Sequence, residues 1–163
     1  MGQQVNAAYP DHEIPLLLVG VLKGSFCFLA DLARTIERPN VLVDFVEASS
    51  YGDSCHSSGK LVINKNVIAS PYRTDILIVE DIVDTGLTVF ELVRRFKTSF
   101  PEGLEHPRSV AVATLLDAPG NRKYLIQPKF VGFTLQPSDF VYGYGLDLKQ
   151  DKRHLPDIYR VER

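Results

Sequence analysis

Residues 76–93 constrain the fold of this chain more strongly than any other stretch. They begin with the apolar run 76–79, which is mostly β-branched and is typical of a strand buried on both faces of a parallel sheet. Glu80 and Asp81 follow directly, and a glycine-containing polar turn occupies 84–88. Apolar residues then recur at the spacing of an amphipathic helix, at Val89, Leu92, Val93 and Phe96. The stretch therefore predicts a strand, an acidic pair at its carboxyl end, a tight loop and a helix.

Predicted strands alternate with predicted helices in the rest of the chain. Ser25 is placed to cap a helix over 26–37, and the central helix should end near residue 97. The apolar face of the first of these helices is expected to hold Phe26, Leu29, Ala33 and Ile36. Strands are predicted at 15–22, 41–48, 61–63, 109–116, 130–135 and 140–146, and residues 158–161 are expected to close the sheet. This alternation favours an α/β fold with a mostly parallel central sheet, in a single domain over residues 1–163.

Two segments carry too little apolar content to predict regular structure. Residues 1–13 are polar, and we expect a loose N-terminal lead-in. Residues 49–60 are rich in Ser, Gly and Asp, and we expect a mobile loop.

Composition excludes several classes of function. The formal net charge of −2 gives no electrostatic reason to bind nucleic acid or an anionic membrane, so any positive charge must act locally. The apolar run 14–22 is interrupted by Pro15 and Gly20 and is too short to span a bilayer. Cys27 and Cys55 have neither metal-ligand spacing nor a disulfide pattern, which favours reduced thiols and a cytoplasmic location.

The turn at 84–88 has the properties of a phosphate site. Its backbone N–H groups open a helix, where the dipole favours an anion, and Gly86 allows the backbone to approach closely. Thr85 and Thr88 add hydroxyl donors. The sequence contains neither a Walker motif nor a G-x-G-x-x-G motif, so it supports neither a P-loop nucleoside triphosphatase nor a dinucleotide-binding fold.

Four segments in register resemble one enzyme family. Residues 79–88 resemble the phosphoribosyl-diphosphate-binding motif of type I phosphoribosyltransferases. Residues 21–25, 49–52 and 140–147 are similar to the hypoxanthine-guanine, or 6-oxopurine, branch of that family, and Arg153 follows at the family's distance. The resemblance extends over nearly all of the chain from Leu16 onward. It implies the type I phosphoribosyltransferase fold with a small hood over the base.

The resemblance implies roles for the acidic pair and the loop. Glu80 and Asp81 would bond the ribose hydroxyls, and Asp84 would act as general acid and base near purine N7. The 5′-phosphate would be held by the loop residues Asp84, Thr85, Gly86, Leu87 and Thr88.

The resemblance also implies ligands for the other substrate groups. Lys23 and Gly24 would hold pyrophosphate, often through a non-proline cis peptide in this family, with help from Arg153. The purine would stack on Phe140 and be read by the Val141 backbone and Asp147. Ser50 and Tyr51 match the mobile loop that closes over the sugar. Mg²⁺ would be the cofactor, with Glu80 and Asp81 near one ion through water and Asp147 near a second ion.

The implied activity is purine salvage. The chain would transfer phosphoribosyl from 5-phospho-α-D-ribosyl 1-diphosphate to hypoxanthine or guanine, giving IMP or GMP and pyrophosphate. Its partners would be small-molecule substrates, and members of this family commonly form homodimers or homotetramers. The alternatives are a regulatory protein that keeps the phosphoribosyl pocket with weakened catalysis, a xanthine-preferring relative, or an orotate or adenine enzyme. Residues 140–147 resemble the 6-oxopurine branch more closely than they resemble an orotate or adenine enzyme.

Two departures from the family pattern bear on specificity. The family usually carries a lysine that donates to the purine 6-oxo group, where this sequence has Ala118. Arg122 or Lys123 could reach in, directly or through a shifted register, or the base could be read by backbone and Asp147 alone. The choice among hypoxanthine, guanine and xanthine therefore stays open. The second departure is length. The family generally has more chain before the Leu22-Lys23-Gly24 segment, whereas about twenty residues precede it here, so we expect either a truncated hood or a chain that is a fragment.

Overall fold

A six-stranded sheet flanked by helices forms the centre of the molecule. The computed structural model describes residues 1–50, 61–65, 72–98 and 106–161, with side chains for all of these except 49, 50 and 61–65. In chain order the elements are α1 (Gly2–Ala8), β1 (Leu16–Leu22), α2 (Phe26–Arg34), β2 (Val41–Ser50), β3 (Leu61–Lys65), β4 (Asp75–Val83), α3 (Leu87–Thr98), β5 (Ser109–Asp117), a 3₁₀ turn (Pro119–Asn121), β6 (Phe130–Thr134), β7 (Val141–Tyr142) and β8 (Tyr159–Arg160).

The sheet is parallel except at one edge, as the alternating pattern predicts. Its strand order is β3-β2-β1-β4-β5-β6, and only β3 runs antiparallel to its neighbour. β1 and β4 lie at the centre, and the apolar run that predicted β4 is fully buried. The carboxyl ends of β1, β4 and β5 therefore meet at one edge of the sheet, which is where parallel α/β sheets bind ligands.

Two apolar clusters cover the two faces of the sheet. On one face Leu16 and Leu18 of β1 pack with α1 and α2, and on the other Leu17 and Val19 pack with Val89 of α3. Side chains of a strand alternate between faces, so a strand with both sets apolar is buried on both sides.

The prediction of a loose lead-in over residues 1–13 was wrong. Residues 2–8 form α1, and Val5 and Tyr9 are buried in the first cluster. The Asn6 side chain also ties α1 to the end of α2, because its Oδ1 accepts from the Glu37 backbone N–H at 3.1 Å. The segment is therefore part of the core.

The helix predicted over 26–37 was placed correctly but was too long. It ends at Arg34, and its buried residues include Phe28 and Leu32, whereas Phe26 is exposed. Ser25 occupies the N-cap position without capping through its side chain, since its hydroxyl donates to the Val21 carbonyl at 2.8 Å.

The C-terminal strands do not join the central sheet as predicted. Within residues 140–146 only Val141–Tyr142 is a strand, and it pairs antiparallel with Tyr159–Arg160 in a separate two-stranded sheet. Val141 of this small sheet lines a cavity together with Asp81 of β4 and Ala118 after β5, which is the position of the hood that the resemblance implied. Among the helices in the described ranges, none has the length and apolar content needed to cross a membrane.

Candidate active site

The loop after β4 opens directly into α3 and forms a small polar cavity. About 90 Å³ of space is lined by Glu80 and residues 82–89. Gly86 has φ +86°, which favours glycine, and its carbonyl accepts the first helical bond from the Phe90 N–H at 2.9 Å. The turn and helix start predicted from the sequence are therefore present, in the geometry that suits an anion.

The acidic pair lies at the carboxyl end of β4 and is largely buried. Glu80 is 8% exposed, and its Oε2 has no hydrogen-bond partner among the described residues. Burial, with the charge of Asp81, holds the pKa of Glu80 well above its usual range. Burial also raises the pKa of Asp81; backbone hydrogen bonds and the charge of Arg153 oppose this rise, and Asp147 adds to it. Because burial disfavours their charged forms, both carboxyls would be stabilised by a hydrogen-bond donor or a cation.

The segment after β1 packs tightly against Asp81. The Leu22–Lys23 peptide is cis, as the resemblance implied, and Lys23 itself is solvent-exposed. A Cβ added to Gly24 would overlap the Asp81 carboxylate, and a Cβ added to Gly145 would overlap the Gly24 carbonyl. Only glycine fits at position 24, where the backbone runs directly past the acidic pair.

A second and larger cavity lies between the end of β4 and the hood. Its volume is about 330 Å³, and its lining includes the predicted purine ligands Phe140, Val141 and Asp147 together with Asp81 and Asp84. Phe140 is 51% exposed, so its ring is available as a stacking surface. Asp84 lines both this cavity and the smaller one beside the loop, and is itself exposed.

Arg153 is bound into the hood. Its Nη2 donates to Asp147 Oδ1 and its Nη1 to the Gly145 carbonyl, both at 2.7 Å. Since Gly145 packs on Gly24, the arginine lies on the same side of the site as the predicted pyrophosphate ligands. The structure thus brings together the residues of three of the four sequence segments.

The fourth segment is described only in part. Ser50 ends β2 with its side chain undescribed, and Tyr51 and the rest of the predicted mobile loop, through residue 60, lie outside the described residues. Closure over the sugar therefore stays a prediction.

Ala118 lines the larger cavity, so the position at which the family usually has a lysine lies in the predicted base site. Arg122 does not reach into that cavity as a substitute, because its guanidinium bonds to the Asp117 carboxylate and to the carbonyls of Val83, Asp84 and Ile126. Lys123 is bound through its backbone, whose N–H donates to the Thr85 carbonyl at 2.9 Å. In this structure Arg122 is thus bound to the loop, and how the 6-oxo group is read stays a prediction.

Sequence reasoning missed several residues that line the larger cavity. They lie in the 3₁₀ turn after β5, in the segment after β6 and beside the predicted positions: Ile82, Asn121, Leu135, Pro137, Asp139 and Leu146. Asn121 is a neutral amide that can both donate and accept, which suits the edge of a base. Its position just beyond a parallel strand was the available signal, because such loops line the ligand crevice.

Comparisons with known proteins point to one family. A family profile described as "Phosphoribosyl transferase domain" matches residues 2–151. Hypoxanthine phosphoribosyltransferase from Salmonella typhimurium is 42% identical over 161 residues, which cover 99% of this chain and 86% of that protein. Hypoxanthine-guanine phosphoribosyltransferase from Bacillus subtilis is 42% identical over 97% of this chain and 82% of its own. The solved hypoxanthine-guanine phosphoribosyltransferase of Bacillus anthracis, which has HEPES in its active site, superposes with a TM-score of 0.86 at 35% identity, covering 99% of this chain and 89% of that one.

Proposed function

The chain belongs to the phosphoribosyl transferase domain family, and we propose from this premise that it joins hypoxanthine or guanine to 5-phospho-α-D-ribosyl 1-diphosphate. The products are IMP or GMP and pyrophosphate. The observation that carries the proposal is the position of Asp84, which borders both the loop cavity and the cavity of the predicted base site. A purine in one cavity and a 5′-phosphate in the other place the reacting ribose carbon between them.

The two cavities divide the substrates. The loop cavity holds the 5′-phosphate on backbone N–H groups of residues 84–88, with Thr85 and Thr88 as hydroxyl donors. Glu80 and Asp81 accept hydrogen bonds from the ribose hydroxyls, which supplies a partner for the otherwise unpaired Glu80 Oε2. Phosphate and sugar binding fix the position of C1′ before the base arrives.

Transfer exchanges one bond at C1′ for another. The bond from C1′ to the pyrophosphate oxygen breaks, the bond from C1′ to purine N9 forms, and the purine loses one proton. Asp84 accepts that proton at N7, and the neighbouring carboxylates suit the positive charge that develops on the ribosyl carbon. Lys23 and Arg153 lie on the side of the site where pyrophosphate leaves, and their positive charge stabilises it.

The carboxylates of this site would suit Mg²⁺. Within the described ranges no group of three His, Cys, Asp or Glu side chains is arranged to hold a metal, which argues against an all-protein cage. Mg²⁺ usually keeps several waters and takes one or two carboxylates together with substrate phosphates. Asp81, beside the Gly24 backbone, and Asp147, which lines the same cavity, would be the carboxylates that hold it. When bound, the ion neutralises charge on the leaving pyrophosphate.

The named relatives support catalysis over the regulatory alternative, which no observation in the site favours. A substrate panel tests the proposal directly: hypoxanthine, guanine, xanthine and adenine, each with the phosphoribosyl donor and Mg²⁺, with pyrophosphate release as the readout. We expect hypoxanthine or guanine to give IMP or GMP. Nucleotide binding by calorimetry without any purine-dependent pyrophosphate would instead support the regulatory protein.

Replacing Asp84 with Asn tests the acid–base role. The amide keeps the size of the side chain but cannot accept the purine proton, so turnover should fall by roughly 100-fold or more while GMP binding is retained. Asp151→Asn is the matched control, because Asp151 is exposed and its carboxylate pairs with its sequence neighbour Lys152. Unchanged turnover in the Asp84 variant would exclude the proposed role.

Assembly and location are parts of the proposal that the resemblance carries. We propose a homodimer or homotetramer, to be measured by light scattering on the purified chain. A cytoplasmic location remains a prediction from the cysteine pattern.

A further inference from the structure

Arg122 makes an unusual set of bonds to the loop that follows β4. Its Nε donates to the Asp84 carbonyl at 3.1 Å, its Nη2 to the Val83 carbonyl at 3.1 Å, and its Nη1 to the Ile126 carbonyl at 2.8 Å. Nη2 also pairs with the Asp117 carboxylate. The side chain is only 16% exposed, and the bonds of its two Nη atoms are partly buried.

The same segment binds three successive carbonyls of the loop. Arg122 reaches those of Val83 and Asp84, the Ala118 N–H donates to the first of them at 3.0 Å, and the N–H groups of residues 123 and 124 donate to the Thr85 carbonyl at 2.9 and 3.1 Å. These peptides are trans, since the cis bond found in the described residues is Leu22–Lys23.

Carbonyl anchoring of this kind fixes where the following N–H groups point. In a planar trans peptide the N–H of one residue is directed opposite to the carbonyl of the residue before it. With the carbonyls of residues 83–85 turned toward the 118–124 segment, the N–H groups of residues 84–86 are directed away from it. Those of Thr85 and Gly86 donate to no other group in the described part of the chain, so they are available to an anion.

We propose that Arg122 is a positioning residue for the 5′-phosphate, acting by holding the carbonyl side of the 83–86 loop. The inference rests on the proposed function, because it takes this loop to be the phosphate site. An arginine is required here: its planar fork reaches three carbonyls and one carboxylate at once, which a lysine ammonium at the end of a flexible chain does not. The arginine also packs on the loop, since a Cβ added to Gly86 would lie 2.9 Å from Arg122 Cδ.

The test compares ligands that differ only in the phosphate. Calorimetry would measure GMP and guanosine binding to the wild-type chain, to Arg122→Met and to Arg122→Lys. We expect the Met variant to bind GMP about 10- to 100-fold more weakly while its guanosine affinity changes less than about twofold, because misdirected N–H groups affect only the phosphate. Arg94→Met is the matched control, since Arg94 is an exposed arginine that pairs with Glu91 on α3.

Arg122→Lys resolves the case in which the Met variant fails to fold. It keeps a positive charge for Asp117 but loses the fork, so it should fold and show an intermediate loss of GMP affinity with a raised KM for the phosphoribosyl donor. A folded variant with wild-type GMP affinity would overturn the inference, as would equal losses of GMP and guanosine. If the wild-type chain itself bound guanosine and GMP equally, the proposed phosphate site would fail instead.

Discussion

Three carboxylates within five residues have different surroundings, and the surroundings separate their roles. Glu80 and Asp81 are at the buried end of β4, where burial disfavours the charged carboxylate and a hydrogen-bond donor or a cation would stabilise it. Asp84 is exposed and stands between two cavities. The motif in the sequence predicted that these acids act together, whereas the difference in burial depends on how β4 emerges from the sheet.

Ala118→Lys tests base recognition at the scale of one side chain. Ala118 lines the predicted base cavity, so a lysine there can extend into the cavity and donate to a purine 6-oxo group. A charge-assisted bond should raise kcat/KM for hypoxanthine by roughly tenfold relative to adenine, which lacks the oxo group. Ala118→Met is the control, because it adds similar volume without a donor. Equal changes in the two variants would mean that volume, and not the donor, matters.

Tyr9→Phe tests a buried hydroxyl remote from the site. Burial, with the charge of Asp75, raises the pKa of Tyr9 to about 12, and its hydroxyl has no hydrogen-bond partner of good geometry among the described residues. Above pH 10 the unfolded chain releases a proton that the folded chain keeps, so the unfolding free energy falls as pH rises toward 12.

The Tyr9 contribution is measured as the difference between wild type and variant. By pH 11 the wild type should have lost roughly 1 kcal/mol relative to Tyr9→Phe, compared with pH 8. Denaturant unfolding at several pH values gives this difference, with the exposed Tyr159→Phe as control. A difference that stays constant with pH would contradict the assigned shift.

At the scale of elements, the sequence predicted the parts whose signal is local. Five central strands and two helices follow from apolar runs and helical spacing, and the loop between β4 and α3 follows from its glycine and hydroxyl residues. α1 was missed because it is short, and its buried contacts, Val5 and Tyr9, are too few to show a period. β7 and β8 were assigned to the wrong sheet because strands of two residues carry no period and their pairing joins residues far apart in the chain.

The contact between Arg122 and the phosphate loop could not be predicted either, because it also joins residues far apart in the sequence. Arg122 and the carbonyl of Asp84 are 38 residues apart, and no spacing rule connects them. From the sequence, Arg122 was a candidate to read the base, whereas in the structure its guanidinium bonds to the carbonyls of Val83 and Asp84 in the loop.

Val5→Ala tests whether α1 belongs to the core. Val5 is fully buried against the first apolar cluster, so removing two methyl groups should cost about 2 kcal/mol in unfolding free energy. Gln4→Ala, on the exposed side of the same helix, should change it by less than about 0.5 kcal/mol. If both substitutions changed the unfolding free energy equally and only slightly, residues 1–13 would instead behave as the loose lead-in predicted from the sequence.

At the scale of the molecule, the site lies between the central sheet and the hood, which is built from residues near the C-terminal end of the sequence. The sheet supplies the loop cavity and the acidic pair, and the turn at 143–145 with the small β7–β8 sheet supplies the hood. Contacts between them in the described part of the chain include Gly145, which packs on the Gly24 backbone, and the Tyr144 hydroxyl, which donates to the Asp31 carboxylate of α2. This second bond, with a further contribution from Arg34, holds the pKa of Asp31 below its usual range.

Tyr144→Phe should therefore loosen the hood without touching the phosphate loop. The lost bond frees the turn that precedes Asp147, so the KM for the purine should rise roughly three- to tenfold. The KM for the phosphoribosyl donor should rise less, because the hood contributes Arg153 to its pyrophosphate while its phosphate and ribose are held by the loop and the acidic pair. Tyr159→Phe is the control within the hood, because Tyr159 stacks on Tyr142 at 5.6 Å through its ring, which the substitution keeps. Steady-state kinetics with each substrate varied in turn separates the two constants. A parallel rise in both would show that hood and loop move as one body, and that the division of the site between them is wrong.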